Sequence, residues 1–145
     1  MTRDILLAVE MEADPAMITD ALTTKEGLSS FWTPDVVAEP EAGTEARFGF
    51  AGAPVPLVLR VDRIDPGREV VWTEPRNFPN WDDTTITWSL GDGAEPGSTK
   101  VLFKQIGFPD AQAEWEFASV AYVWATVLER LKLLAETGRA EPALG

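Results

Sequence analysis

The last third of the chain constrains the fold most. Residues 98–108 (STKVLFKQIGF) alternate like a strand, and residues from about 111 to 137 then form one long amphipathic pattern that stops at Gly138. Apolar residues recurring at helical spacing, closed by a glycine, read as a single terminal helix. Upstream segments alternate with period two and are separated by proline and glycine punctuation. Such alternation gives each segment one packed and one wet face, as in an antiparallel sheet. Several hairpins must therefore bury their apolar faces against the same helix. No βαβ alternation occurs, which argues against a parallel nucleotide-binding sheet. A curved sheet around one helix often leaves a space between the two layers, and that space is where function is expected.

The other elements follow from local chemistry. Residues 5–11 read as a first strand, ending at Asp14-Pro15, a pair suited to an N-cap and a first helical position. Met17, Ile18, Ala21 and Leu22 then recur on one side of a short helix, and Thr24 can cap a second one over 25–31. Six strands are expected at 35–39, 44–50, 55–64, 69–74, 84–90 and 98–108, with Asp65-Pro66-Gly67 the clearest turn. In the fifth of these, Ile86, Trp88 and Leu90 face inward and Thr85, Thr87 and Ser89 outward. Along the terminal helix, Trp115, Ala118, Tyr122 and Leu128 form one arc, with Val120, Trp124, Val127, Leu131 and Leu134 beside it. Both arcs are expected to face the sheet. A single domain over 1–138 with a flexible tail over 139–145 accounts for the 145 residues.

Composition excludes several function classes. There is no cysteine and no histidine, so disulfides, thiol nucleophiles, an imidazole base and the commonest zinc ligand are all absent from the sequence. With 24 acidic against 12 basic residues the net charge is −12, which disfavours nucleic acid and anionic membrane surfaces and favours solubility. The N-terminal apolar run is too short for a signal peptide, and no stretch approaches the roughly 20 apolar residues of a membrane span. A cytoplasmic protein, monomer or homodimer, with no metal and no cofactor, is expected.

The order strand, two short helices, six strands, long helix resembles that of the START-like, or SRPBCC, helix-grip superfamily. Within it the chain is similar to the branch of homologues of the activator of heat-shock-protein-90 ATPase. Residues 28–34 (LSSFWTP) resemble the branch's tryptophan-bearing segment after the second helix, and 61–72 its long hairpin. Residues 97–103 through Gly107-Phe108 resemble its last strand, and Trp124 through Leu128, Leu131 and 136–138 its terminal helix. The resemblance implies an α+β fold in which a curved antiparallel seven-stranded sheet wraps a long C-terminal helix. It also implies either a cavity for a small hydrophobic molecule, lipid or polyketide-like, or a chaperone partner. A third implication is cavity chemistry of cyclase, hydrolase or dehydratase type. Gln105 stands where many relatives carry histidine, so proton transfer through such a residue is not open to this chain.

Six tryptophans are a high count for this length. Flat rings offer large contact area at little conformational cost, so they either wall a pocket or simply fill the space between sheet and helix. The expected lining is Phe48, Leu59, Trp72, Trp88, Phe103, Gln105, Trp115 and Tyr122. Gln105, on the face of Val101 and Phe103, either bonds a ligand, a water or Tyr122, or lies exposed at the strand end. No catalytic residue is assigned. Glu74 and Arg76 flank Pro75 at the expected cavity mouth, and Asp82-Asp83 follow Trp81; as solvated loop carboxylates they are weak candidates for acid–base work. Catalysis, if present, rests on Glu74, on Tyr122 or on pocket shape. Arg60 is expected on the sheet's outer side.

Overall fold

The computed structural model describes residues 2–75 and 78–145. Its ten elements are β1 (Thr2–Met11), α1 (Pro15–Thr23), α2 (Lys25–Phe31), β2 (Asp35–Val37), β3 (Glu45–Gly49), β4 (Leu57–Asp65), β5 (Glu69–Thr73), β6 (Thr85–Asp92), β7 (Thr99–Pro109) and α3 (Glu114–Thr137). The strands form one antiparallel sheet in the order β1-β7-β6-β5-β4-β3-β2. From β2 to β7 neighbours in sequence pair directly, whereas β1 pairs with β7, with Leu7 opposite Phe103, and β1 and β2 are the two edges. The expected α+β helix-grip architecture is the one observed.

Alternation decides which side of the sheet is packed. Ala46 and Phe48, Leu57, Leu59 and Val61, Val70 and Trp72, Ile86 and Trp88, and Val101 and Phe103 are all buried. Near the end of β7 the parity changes. Thr99, Val101, Phe103 and Gln105 are buried at odd positions, then Phe108 at an even one. The register shifts opposite Arg3 and Ile5, and Gly107 has φ +98°, a conformation glycine adopts without strain. This bulge turns Phe108 inward against Trp81 and Phe117.

The two short helices share a cap. Asp14 accepts from the Ala16 amide at 2.8 Å to start α1. Thr24 ends α1 through its amide bond to the Asp20 carbonyl and starts α2 by accepting from the Gly27 amide at 3.1 Å. The Thr19 hydroxyl accepts from the Gly67 amide at 2.9 Å, tying the β4–β5 turn to α1.

α3 begins at Glu114, three residues later than expected, because residues 111–113 remain in an open turn before it. It ends where Gly138, at φ 76°, donates its amide to the Leu134 carbonyl at 2.8 Å. Its fully buried residues are Trp124, Val127, Leu128, Leu131 and Ala135, so the grip is firm only along the second half. The arc expected to run inward through Trp115 and Tyr122 does not: these side chains are 83% and 76% exposed. At about 100° per residue both lie on the opposite side of the helix from Trp124. Only Leu128 of that arc is buried; Ala118 is exposed.

Gly27 marks the tightest backbone approach. A Cβ there would collide with the Ala21 backbone. Gly27→Ala is expected to lower stability by more than the ordinary propensity gain of about 1 kcal/mol that a helical Gly→Ala change brings. Urea denaturation followed by tryptophan fluorescence measures it, and an unchanged or raised midpoint would refute the tight fit.

Candidate functional site

Trp124 is the centre of the interface between helix and sheet. Its ring lies 4.5 Å from Phe103, 5.0 Å from Trp32, 5.9 Å from Trp81 and 6.0 Å from Trp88. Its Nε1 donates to Gln105 Oε1 at 2.8 Å; Gln105 Nε2 donates to Thr84 Oγ1 at 3.1 Å; and Thr84 Oγ1 donates to the Trp81 carbonyl at 2.7 Å. An indole nitrogen can only donate, so the bond to Trp124 fixes which end of the amide is oxygen. Gln105 and Thr84 are both fully buried. The amide is thus satisfied by the protein itself, through Trp124 and Thr84; Tyr122 points away.

Directly above this network lies an apolar pocket of about 310 Å³. Trp32, Phe50, Phe78, Trp81, Val123 and Trp124 form most of its wall, completed by Ala53, Ser119, Val120 and Leu144. The wall draws on the end of α2, the loop after β3, the loop before β6 and the first half of α3. Its one hydroxyl, that of Ser119, donates to the Trp115 carbonyl at 2.8 Å. The wall contains no ionisable side chain among the described residues.

The eight expected lining residues fall elsewhere. Phe48, Leu59, Trp72, Trp88, Phe103 and Gln105 are brought together, but as close-packed core beneath the pocket. Rings fill the space: Trp32 to Phe48 is 4.3 Å, Trp88 to Phe103 4.9 Å and Trp72 to Trp88 5.7 Å. Of these, only Trp72 meets an internal void, one of about 10 Å³ beside α1 and α2, about the least space that can hold a water. Trp115 and Tyr122 are on the outer face of α3. The residues missed were those at element ends. Trp32 follows α2, and Trp81 belongs to a loop that folds back over Trp124. The sequence signal for both was aromatic residues beside proline-rich turns.

The acidic candidates also move. Glu74 is buried rather than solvated, because it continues the inward alternation of Val70 and Trp72. It helps line a separate polar groove of about 350 Å³ with Arg60, Thr73, Pro75 and Asp83. Asp82 and Asp83 are exposed, and Arg76 lies outside the described residues. Arg60 is exposed on the outer side, paired with Asp62 at 2.7 Å. Among the described residues no group of three or more acidic side chains could hold a metal ion. No helix there is long and apolar enough to cross a membrane.

A sheet closed on one side by a long C-terminal helix, with a pocket at the helix's exposed half, defines a START-like helix-grip domain. The family model described as Activator of Hsp90 ATPase homolog 1-like protein matches residues 12–136, and the chain belongs to that family. The Aha1 dimer of Colwellia psychrerythraea, known from a solution structure, is 27% identical, with a TM-score of 0.83 over 95% of this chain and 99% of that one. A Mesorhizobium loti protein is 19% identical, with a TM-score of 0.75 over 91% and 96% of the two chains. CalU16 of Micromonospora echinospora is 16% identical, with a TM-score of 0.71 over 97% and 78%. The last two share the fold alone. No curated protein matches the chain.

Trp124 and Trp88 provide an internal comparison. Both rings are buried, but the Trp88 Nε1 has no hydrogen-bond partner among the described residues. Trp124→Phe strands Gln105 Oε1, whereas Trp88→Phe breaks no bond. Trp124→Phe should therefore be the more destabilising by about 1–3 kcal/mol in chemical denaturation. Equal losses would show that the amide network does not hold the helix.

Proposed function

We propose that the protein is a non-catalytic binding domain for a small, mostly apolar molecule held in the pocket above Trp124. The carrying observation is the wall itself: five aromatic rings and two valines around about 310 Å³, with one hydroxyl already engaged by the protein. Such a surface gains by burying apolar area and offers nothing to orient a charged group. Acid–base chemistry has no group to act through there, and Glu74 sits in a different groove.

A neutral aromatic such as naphthalene tests this reading. Free naphthalene at 100 times its dissociation constant should stabilise the fold by about 2.7 kcal/mol, raising the melting temperature. Val123→Trp, which fills the pocket from α3, should abolish that shift while leaving the fold intact by circular dichroism. A shift of equal size in Val123→Trp would move the binding elsewhere, and no shift in the parent protein would remove the reading.

A second reading, self-association, is favoured by a specific observation. Trp115 and Tyr122 stand on one exposed face of α3 beside Ala118 and Ser119, and a relative at 27% identity is a dimer. Exposed aromatic pairs of this kind are enriched at protein interfaces. Light scattering should give a dimer for the parent protein and a monomer for Trp115→Ala/Tyr122→Ser. A parent protein that stays monomeric would leave the face to another partner, a chaperone of the heat-shock-protein-90 class being the one family membership suggests.

A further inference from the structure

After Gly138 the chain turns back across the molecule. Residues 139 and 140 are exposed, and 141–144 are half-buried against the end of α2. The Ala143 amide donates to the Phe31 carbonyl at 3.0 Å and the Leu144 amide to the Trp32 carbonyl at 2.9 Å, satisfying carbonyls that α2 leaves unpaired. Glu141 pairs with Arg130 at 3.5 Å and with Arg139 at 3.4 Å. Leu144 packs on the core edge and forms part of the apolar wall. The segment expected to be a free tail is thus laid down as a strap.

The strap lies between two spaces. On its other side is a cleft of about 550 Å³, mixed in character, in which Thr33, Asp35 and Arg47 stand among prolines, alanines and Phe50, with Gly145 at its edge. Phe50 and Ala53 line both the cleft and the apolar pocket. Leu144 borders one space and Gly145 the other, so the strap runs along the boundary between them together with Phe50 and Ala53. The strap's hold is slight: two backbone hydrogen bonds, partly exposed ion pairs of the weakest class, and the partly buried Ala143 and Leu144. Segments held this way open locally without global unfolding. In the cleft, neither Arg47 nor Asp35 makes a side-chain hydrogen bond or ion pair among the described residues.

We propose that residues 141–145 are a removable partition, and that the pocket's ligand is a neutral amphiphile whose polar head enters the Asp35–Arg47 cleft when the partition lifts. This rests on the pocket reading above and adds the ligand's second half to it. One acid and one base in the cleft match a hydrogen-bonding head of no net charge. An anionic head would also meet the repulsion of a net −12 protein. With the strap down, the head has no way into the cleft from the apolar side. The apparent affinity is then reduced by the fraction of molecules whose strap is lifted.

Octyl glucoside below its micelle concentration is the amphiphile probe, and naphthalene the short apolar one, both followed by calorimetry. Ala143→Pro removes the N–H that bonds Phe31, and truncation after Gly138 removes the strap altogether. Each should raise the affinity for octyl glucoside relative to naphthalene by about tenfold, with naphthalene itself weakened in the truncated chain by the loss of Leu144 from the wall. Adding Arg47→Gln to Ala143→Pro should weaken octyl glucoside and not naphthalene. If the truncated chain fails to fold, Ala143→Pro carries the comparison. Octyl glucoside affinity unchanged by both strap variants, with naphthalene bound, overturns the partition and leaves the apolar pocket standing. Indifference to Arg47→Gln overturns the placement of the head. Failure of both probes to bind any form overturns the partition together with the pocket.

Discussion

The hydrogen bond from Trp124 to Gln105 is the constraint on which the rest of the molecule depends. It joins the one long helix to β7, the strand that pairs with both β1 and β6. Because it lies in a fully buried setting, it fixes both the rotation and the height of α3 over the sheet. An indole packed against Phe103, Trp32, Trp81 and Trp88 cannot move without opening four ring contacts and leaving an amide oxygen unpaired. Thr84 extends the network to the Trp81 carbonyl, so the same bonds position the loop that roofs the pocket.

This arrangement divides α3 into two halves with different duties. From Trp124 onward the helix is core, with Val127, Leu128, Leu131 and Ala135 closing over the sheet. Before Trp124 the helix meets the sheet through Phe117, on Phe108 and Arg3, while Trp81 and Phe78 pack beside Trp124 and leave the pocket next to them. The apolar pocket lies along one side of that first half, at Val120, Val123 and Trp124, and the exposed Trp115 and Tyr122 are on its outer side. Cavity and interaction face are thus two consequences of one geometry: a helix buried along its second half and only partly covered along its first.

The strap adds a third participant, on which sequence periodicity is silent. Residues 139–145 have no pattern that would place them, and their position comes from carbonyls that α2 leaves open at its end. Glu74 gives the same lesson in the opposite sense. Its loop setting suggested a solvated carboxylate, yet the alternation of β5 runs one residue past the strand and carries it inside.

By itself the sequence determined the element order, the antiparallel sheet, the inward face of β6 and of β7 as far as Gln105, the cap at Thr24 and the helix stop at Gly138. These are local properties: alternation, capping and turn chemistry act over a few residues and need no knowledge of what lies across the core. Family membership was legible for the same reason, since it is carried by those motifs in order. What only the tertiary structure decided was the rotation of α3, and with it whether an aromatic residue is core, pocket wall or surface. Trp115, Trp124 and Tyr122 share one helix and similar hydrophobicity, and a broad apolar stripe does not say which arc meets the sheet. The Trp124–Gln105 bond selects the arc, and it joins residues on different elements that no periodicity links.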